Sequence, residues 1–173
     1  MNATLAAWNA VSESAALEAM LACCGSKRWA LAMVALRPIR NVEELSEAAD
    51  RVWRTMQEPD WLEAFACHPR IGERNTECTP VHAGAQSAAW SRQEQSSAST
   101  ANKSVLAELA EGNLLYEQRF GFTYIVCATG KTTEEMFAIL KRRLASNRGA
   151  ELREAAEQQR QILQIRLGKW LIE

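Results

Sequence analysis

One short run of strand-like residues stands alone in a chain that is otherwise patterned as helix. Residues 122–129 read Phe-Thr-Tyr-Ile-Val-Cys-Ala-Thr, a nearly unbroken series of β-branched, aromatic and apolar side chains. The sequence has no second run of this kind to pair with it. An extended segment without a sheet leaves backbone N–H and C=O groups that need other partners. The sequence leaves open whether those partners lie in the protein core or on a bound polar ligand.

The rest of the sequence predicts about seven to nine helices. Apolar residues recur at helical spacing, and Thr132-x-x-Glu135 and Asn41-x-x-Glu44 resemble capping boxes that open helices. With 173 residues, 47% of them hydrophobic, the chain can form a sizeable core. We therefore expect an all-α, single-domain helical bundle over residues 1–173, with one extended segment near residues 122–129.

Charge and hydropathy exclude several classes of partner. The formal net charge is −1, with acidic and basic residues interspersed, so we expect no binding to nucleic acid or to an anionic membrane surface. No apolar run approaches the roughly 20 residues that span a bilayer, and residues 1–4 do not resemble a signal peptide. These features predict a cytoplasmic protein.

The cysteines indicate reduced thiols rather than a disulfide framework. There are five, an odd number without the spacing of a secreted scaffold. Cys67, His68, Cys78 and His82 contain the right ligand types for zinc, but their spacing matches no known zinc motif and two prolines interrupt it. We predict no metal site.

His68 is followed by Pro69, which fixes the local backbone and places the histidine where a helix stops. An imidazole there can face a cleft and exchange protons near neutral pH. It can equally cap the free carbonyls of the helix end. Both interpretations remain open on the residues alone.

Two further helices carry polar residues in unusual places. Residues 81–100 are rich in Ala, Ser and Gln, and a helix there puts Ser91, Glu94 and Gln95 on one face. That face is either solvated or part of a site. Near the C-terminus, Arg166 falls on the apolar side of its helix, where its guanidinium either reaches water or points into a cleft toward an anion.

The pair Gly130-Lys131 after the strand-like run suggests a phosphate-binding loop, but that motif needs a glycine where this chain has Ile125. We therefore predict no nucleotide site.

Taken together, four separated motifs resemble the OHCU decarboxylase family. Its members decarboxylate 2-oxo-4-hydroxy-4-carboxy-5-ureidoimidazoline (OHCU), the last intermediate between urate and (S)-allantoin. The resemblance covers nearly the whole chain, in the same order and spacing. The motifs are Cys67-His68-Pro69-x-Ile71-Gly72, Ser91-x-x-Glu94-Gln95, Phe120-Gly121-Phe122-x-Tyr124-Ile125-Val126-Cys127-Ala128-x-Gly130-Lys131, and Ile165-Arg166-Leu167.

The resemblance implies a helical homodimer that works without metal or organic cofactor on a small-molecule substrate. It implies that His68 is the proton donor, with Glu94 and Arg166 as catalytic partners. Tyr124 stands where phenylalanine is frequent in the family. The substrate-binding residues that it implies are Pro69, Ser91, Arg92, Gln93, Glu94, Gln95, Tyr124, Ile125, Val126, Cys127 and Ala128.

Two other classes of function remain as alternatives. A hydrolase or lyase acting on another ureido compound would use the same residue types. A non-catalytic helical binding module would explain the bundle and the polar face of residues 91–95, but not His68-Pro69 or the lone extended segment. The sequence also leaves open what Arg70, Glu73 and His82 do, and whether Glu94 contacts the substrate or His68.

Overall fold

The computed structural model describes residues 2–71, 85–94 and 103–172. Within these ranges the chain forms nine α-helices and no β-strand. The all-α expectation and the expected number of helices are therefore confirmed for the described part of the chain. The helices are α1 (Ala3–Ala10), α2 (Glu13–Cys23), α3 (Lys27–Ala35), α4 (Val42–Trp53), α5 (Glu58–Ala66), α6 (Ala85–Glu94), α7 (Lys103–Phe120), α8 (Thr133–Leu144) and α9 (Arg148–Trp170).

The long helix α9 runs through the centre of this arrangement and contacts α2, α4, α5 and α7. Its buried face carries Leu152, Ala155, Ile162 and Leu163 into the core. Trp53 of α4 is buried against it, and its indole Nε1 donates to the carbonyl of Ala156 at 3.0 Å. Because α9 touches so many elements, a side chain on its buried face can act on several parts of the molecule.

Side chains cap the helices where the sequence predicts, with one difference. Thr132 and Glu135 form the expected reciprocal capping box of α8. At α4, Asn41 accepts from the backbone N–H of Glu44 at 2.8 Å, but Glu44 does not bond back to Asn41. Its carboxylate instead accepts from the backbone and guanidinium of Arg40. A charge-assisted bond to arginine is the stronger alternative for this carboxylate.

The strand-like run is an extended connector between α7 and α8. Tyr124, Ile125, Val126, Cys127 and Ala128 are all buried. The connector ends in a turn in which the Lys131 N–H donates to the Ala128 carbonyl at 3.0 Å. Gly130 in that turn has φ +79°, a left-handed conformation that glycine adopts without strain. The lone extended segment of the sequence is thus threaded through the core.

Among the helices of the described ranges, none combines the length and the hydrophobicity that crossing a bilayer requires.

Candidate active site

His68 lies directly after α5, at the position where the helix ends. Cys67 is the C-cap of α5, and the His68 N–H donates to the Phe65 carbonyl at 3.0 Å. The residues that follow His68 form hydrogen bonds and an ion pair with side chains of α7. Arg70 makes a bidentate ion pair with Glu117, at 2.9 and 2.7 Å, and the Asn113 amide donates to the Ile71 carbonyl at 3.0 Å. These contacts hold the His68 backbone from both sides.

The surroundings of His68 favour a neutral imidazole. The side chain is partly accessible, but enough protein surrounds the ring for burial to lower its pKa from 6.5 to about 3. The positive charge of Arg166 lowers the pKa of His68 further, whereas the Gln159 amide acts in the opposite direction. His68 is therefore uncharged at neutral pH in the free protein.

Arg166 of α9 and Glu94 of α6 form a buried ion pair. Arg166 Nε lies 3.1 Å from Glu94 Oε1, and Arg166 Nη2 lies 3.0 Å from Oε2. Lys169 reaches the same carboxylate at 3.4 Å. The arginine is only 1% exposed, so its guanidinium does not extend to water. Of the two placements that the sequence leaves open, the inward one is correct, and the anion is a carboxylate of the chain itself.

The serines of α6 complete the surroundings of this guanidinium. Ser91 Oγ accepts from Arg166 Nη2 at 2.8 Å, and Ser87 Oγ accepts from Nη1 at 3.1 Å. Both serines are buried, so the polar face of α6 is not a solvated surface. Arg92 and Gln93 lie on the exposed side of the same helix. Gln95 is outside the described residues.

The extended connector is held along one edge by side chains from α8 and α9 and by Lys131. Arg143 Nη1 donates to the Ile125 carbonyl at 2.6 Å. The Cys127 N–H donates to Gln158 Oε1 at 2.9 Å, and the Cys127 carbonyl accepts from Lys131 Nζ at 2.7 Å.

Backbone polar groups of neighbouring residues in an extended chain point to opposite edges. Since Ile125 and Cys127 face α8 and α9, the N–H and C=O of Val126 face the other edge. No hydrogen bond from the described residues reaches either group of Val126. The connector therefore keeps one donor and one acceptor for another partner.

A partly open cavity lies where α5, α6, α9 and the connector meet. Seven of the residues predicted for the site line it, namely His68, Pro69, Glu94, Tyr124, Ile125, Val126 and Ala128. Ser91 and Arg166 lie behind Glu94, and Cys127 turns its backbone toward α9. The site therefore combines residues from distant parts of the chain.

Four cavity residues were not predicted as site residues, and all are apolar or weakly polar. They are Ile71, Thr129, Ile162 and Ile165. Three of them stand within or beside a motif that the sequence displays, and Ile162 lies one helical turn before Arg166. Helical spacing from Arg166 is the signal that would have found Ile162.

No cluster of three or more potential metal ligands occurs within the described ranges. Cys78, His82 and Glu73 are outside those ranges.

Comparison with known proteins relates this arrangement to enzymes of urate breakdown. A family model described as OHCU decarboxylase matches residues 9–168. The uric acid degradation bifunctional protein TTL of Arabidopsis thaliana is 40% identical over 148 residues, which are 85% of this chain and 44% of that protein. The chain thus spans less than half of that relative's length. The OHCU decarboxylase of Haloferax volcanii is 28% identical over 133 residues, covering 77% of this chain and 74% of the relative.

Solved structures agree with this relationship. An OHCU decarboxylase crystallised in the presence of (S)-allantoin superimposes with a TM-score of 0.75 at 35% identity, covering 90% of this chain and 99% of that one. An (S)-allantoin synthase structure shares the fold, with a TM-score of 0.68 at 18% identity, covering 96% of this chain and 53% of the other. Because the family model spans most of the sequence and the first of these structures matches over nearly its whole length, the chain belongs to the OHCU decarboxylase family.

Proposed function

We propose that this chain catalyses the cofactor-independent decarboxylation of OHCU to (S)-allantoin and CO2, a step of urate degradation. One observation carries the proposal. A single cavity brings together the imidazole of His68, whose burial favours the neutral form, the buried carboxylate of Glu94, and the backbone of Val126, whose N–H and C=O are not paired by any described residue. Each of these groups has a task in the reaction, and none of the tasks needs a metal ion or an organic cofactor.

The reaction breaks the bond between the substrate carboxylate and the ring carbon that also carries the hydroxyl. The electron pair of that bond moves into the ring, and the neighbouring C=N bond takes up the charge on nitrogen. The resulting enol becomes allantoin when the hydroxyl loses its proton and the ring carbon bearing the ureido group gains one. Water supplies the remaining proton to the ring nitrogen.

His68 carries the proton from one site to the other. Because it begins neutral, it first accepts the hydroxyl proton of the substrate and then donates that proton to the carbon bearing the ureido group. The imidazole ends the cycle in the state in which it began. Donation from one fixed side sets the (S) configuration, and the firmly held backbone at His68 and Ile71 supports that geometry.

Glu94 and Arg166 act as a pair. The carboxylate of Glu94 lines the cavity and accepts a hydrogen bond from the hydroxyl or the ureido group of the substrate. Arg166 lies behind it and uses its donors on Glu94, Ser91 and Ser87. Arg166 thereby orients the carboxylate and supplies positive potential where negative charge develops.

The open edge of the connector binds the planar part of the substrate. The Val126 N–H donates to a ring or ureido carbonyl, and the Val126 carbonyl accepts from a ureido N–H. Amide groups of the substrate thus satisfy buried backbone groups for which the described residues offer no partner. The apolar side chains of Ile162 and Ile165 line the same cavity and limit the access of water to it.

Freshly generated OHCU tests this proposal, because the compound also decays by itself. We expect the protein to accelerate the loss of OHCU absorbance with release of CO2, and the product to show the circular dichroism of (S)-allantoin. His68→Asn should return the rate to the spontaneous background. A rate equal to background and a racemic product with the wild-type protein would refute the proposal. Release of ammonia would instead favour the ureidohydrolase alternative, and inertness a binding module.

The family resemblance also supports a homodimer, while length and composition support a cytoplasmic location and a single domain over residues 1–173. We expect light scattering in solution to give twice the mass of the 19.3 kDa chain. A monomer that retains full activity would contradict the dimer, and would leave the proposed reaction standing.

A further inference from the structure

The side chain of Gln159 is a buried amide without a full hydrogen bond. The residue is 0% exposed, and neither its Oε1 nor its Nε2 finds a partner of good geometry. Three other side chains in the described ranges each leave a single buried polar atom unpaired. Among these described residues, Gln159 alone has both its donor and its acceptor unpaired. This glutamine is therefore exceptional within the described part of the molecule.

An amide in this state costs stability. Leaving a buried donor or acceptor unpaired typically costs about 1–3 kcal/mol. Methionine has nearly the same shape and would fill the same space without that cost. Core packing gives no reason for a glutamine here, so the polar group is more readily explained by a role in the site.

The position of Gln159 on α9 relates it to the cavity. Gln159, Ile162 and Arg166 follow the i, i+3, i+7 spacing of one helix face, and all three are buried. Ile162 lines the cavity, and Arg166 holds Glu94. The carboxamide of Gln159 lies near enough to the His68 imidazole to act on its pKa, although neither amide atom makes a hydrogen bond of good geometry.

We propose that Gln159 is a positioning residue whose amide oxygen accepts the N–H of the His68 imidazole and so determines which ring nitrogen faces the substrate. This inference rests on the proposed role of His68 in OHCU decarboxylation.

The proposal follows from the chemistry of a neutral imidazole. Such a ring has one N–H and one bare nitrogen, and the hydrogen bond made by one nitrogen decides the state of the other. An acceptor at Gln159 takes the N–H and leaves the bare nitrogen free for the hydroxyl proton of the substrate. Without that acceptor the two tautomers would interchange, and only part of the protein would hold a base in the productive orientation.

The tautomer can be measured without substrate. The chain contains two histidines, so nitrogen-15 histidine labelling gives two pairs of imidazole nitrogen signals, and His82→Gln assigns them. We expect one dominant tautomer of His68 in the wild-type protein and a mixture of both in Gln159→Met. Gln161→Met is the matched control, because Gln161 lies on the same helix and donates to Glu157 at 3.2 Å. It should leave the His68 tautomer unchanged.

Kinetics with OHCU complete the test. Gln159→Met should lower kcat about 10-fold to 100-fold, as is typical for the loss of a group that orients a reactive side chain, with little change in KM. Thermal unfolding checks that the variant folds, and Gln159→Leu replaces it if it does not.

Three outcomes would overturn the inference. These are a wild-type tautomer distribution in Gln159→Met, an altered tautomer with unchanged kcat, or a raised KM with unchanged kcat, which would make Gln159 a substrate contact. Failure of the proposed function looks different. In that case the wild-type protein would not accelerate OHCU loss, whatever the tautomer of His68 in Gln159→Met.

Discussion

Arg166 and Glu94 meet in a bidentate ion pair, with nitrogen to oxygen distances of 3.1 and 3.0 Å, although 72 residues separate them in the sequence. The two side chains are 2% and 8% exposed. The pair joins the last helix to the short polar helix α6 and forms the rear of the cavity. Charges removed from water in this way depend strongly on each other, because a single buried charge left alone is costly.

Glu94→Gln should therefore reduce both stability and activity. The substitution keeps the shape but leaves the Arg166 guanidinium without a counter-charge, and breaking a buried pair costs about 3–5 kcal/mol. We expect urea unfolding to show a free energy of unfolding that is lower by an amount in this range, or by less because the Glu94 side chain is partly solvated. OHCU turnover should fall at least about tenfold.

Glu157→Gln is the matched control, because Glu157 pairs with Arg160 on the surface of the same α9, at 2.8 Å. An exposed pair contributes under about 1 kcal/mol. Equal effects of the two substitutions would contradict the assigned importance of the buried pair.

The lowered pKa of His68 predicts acid sensitivity. In the unfolded chain the imidazole titrates near 6.5, whereas in the folded protein burial and then Arg166 lower its pKa to about 3. Between these values the unfolded state binds a proton that the folded state does not. Stability should consequently fall as the pH drops below about 6.5, and His68 should contribute nothing above it.

Urea unfolding at a series of pH values measures how the free energy of unfolding changes with pH. At pH 5 we expect His68→Gln to recover up to about 2 kcal/mol of the acid-induced loss. His82→Gln controls for the other histidine of the chain. If the acid sensitivity disappears in that variant instead, the low pKa does not belong to His68.

Gly25 should not tolerate a side chain. A Cβ at this position would lie 2.3 Å from Cys67 Sγ, far inside contact distance. Gly25→Ala would displace Cys67, the neighbour of His68 and C-cap of α5, and overpacking of this kind costs about 1–3 kcal/mol. We expect a lower melting temperature and slower OHCU turnover.

Two variants sharpen that expectation. Gly25→Ala combined with Cys67→Ala should regain part of the lost stability, because the clashing sulfur is gone. Gly168→Ala should be neutral or stabilising, since nothing lies within 4 Å of the Cβ it adds to α9. An unchanged melting temperature in the Gly25→Ala single variant would show that the region between α2 and α3 accommodates the added methyl group, and would contradict the prediction.

The connector depends on a buried cluster of Arg143, Glu151 and Tyr116. Arg143 Nε donates to Glu151 at 2.6 Å and its Nη1 to the Ile125 carbonyl, while the Tyr116 hydroxyl donates to Glu151. Arg143→Met would leave the Glu151 carboxylate without a counter-charge and the Ile125 carbonyl without its donor. We expect a loss of about 3–5 kcal/mol in urea unfolding and a rise in KM for OHCU, since Ile125 precedes the backbone proposed to bind substrate.

Arg40→Met is the control for that substitution, because Arg40 also pairs with a glutamate but is 80% exposed. It should cost less than about 1 kcal/mol. Tyr116→Phe keeps the ion pair between Arg143 and Glu151, so its loss of unfolding free energy should lie between those of Arg40→Met and Arg143→Met. Unchanged OHCU kinetics in a folded Arg143→Met protein would mean that the connector keeps its shape without this cluster.

Local patterns in the sequence were sufficient for most helices and for the connector. The N-cap of α8 at Thr132, the end of α5 before His68 and the extended run at residues 122–129 each follow from the few residues at that place. The break that separates α1 from α2 at Ser12 was not predicted. Asn41 and Glu44 show the limit of local reasoning, since a neighbouring arginine outside the motif takes the glutamate.

The sequence by itself determined an all-helical chain with one extended segment, and its motifs identified the residue types of the site. It determined neither the partner of Arg166 nor the protonation state of His68. Those depend on contacts between α5, α6 and α9, which are far apart in the sequence, and on how completely the fold removes water from them. Burial lowers the pKa of His68 and so favours its neutral form, and packing brings Arg166 against Glu94, because desolvation and pairing of charges are properties of the packed structure.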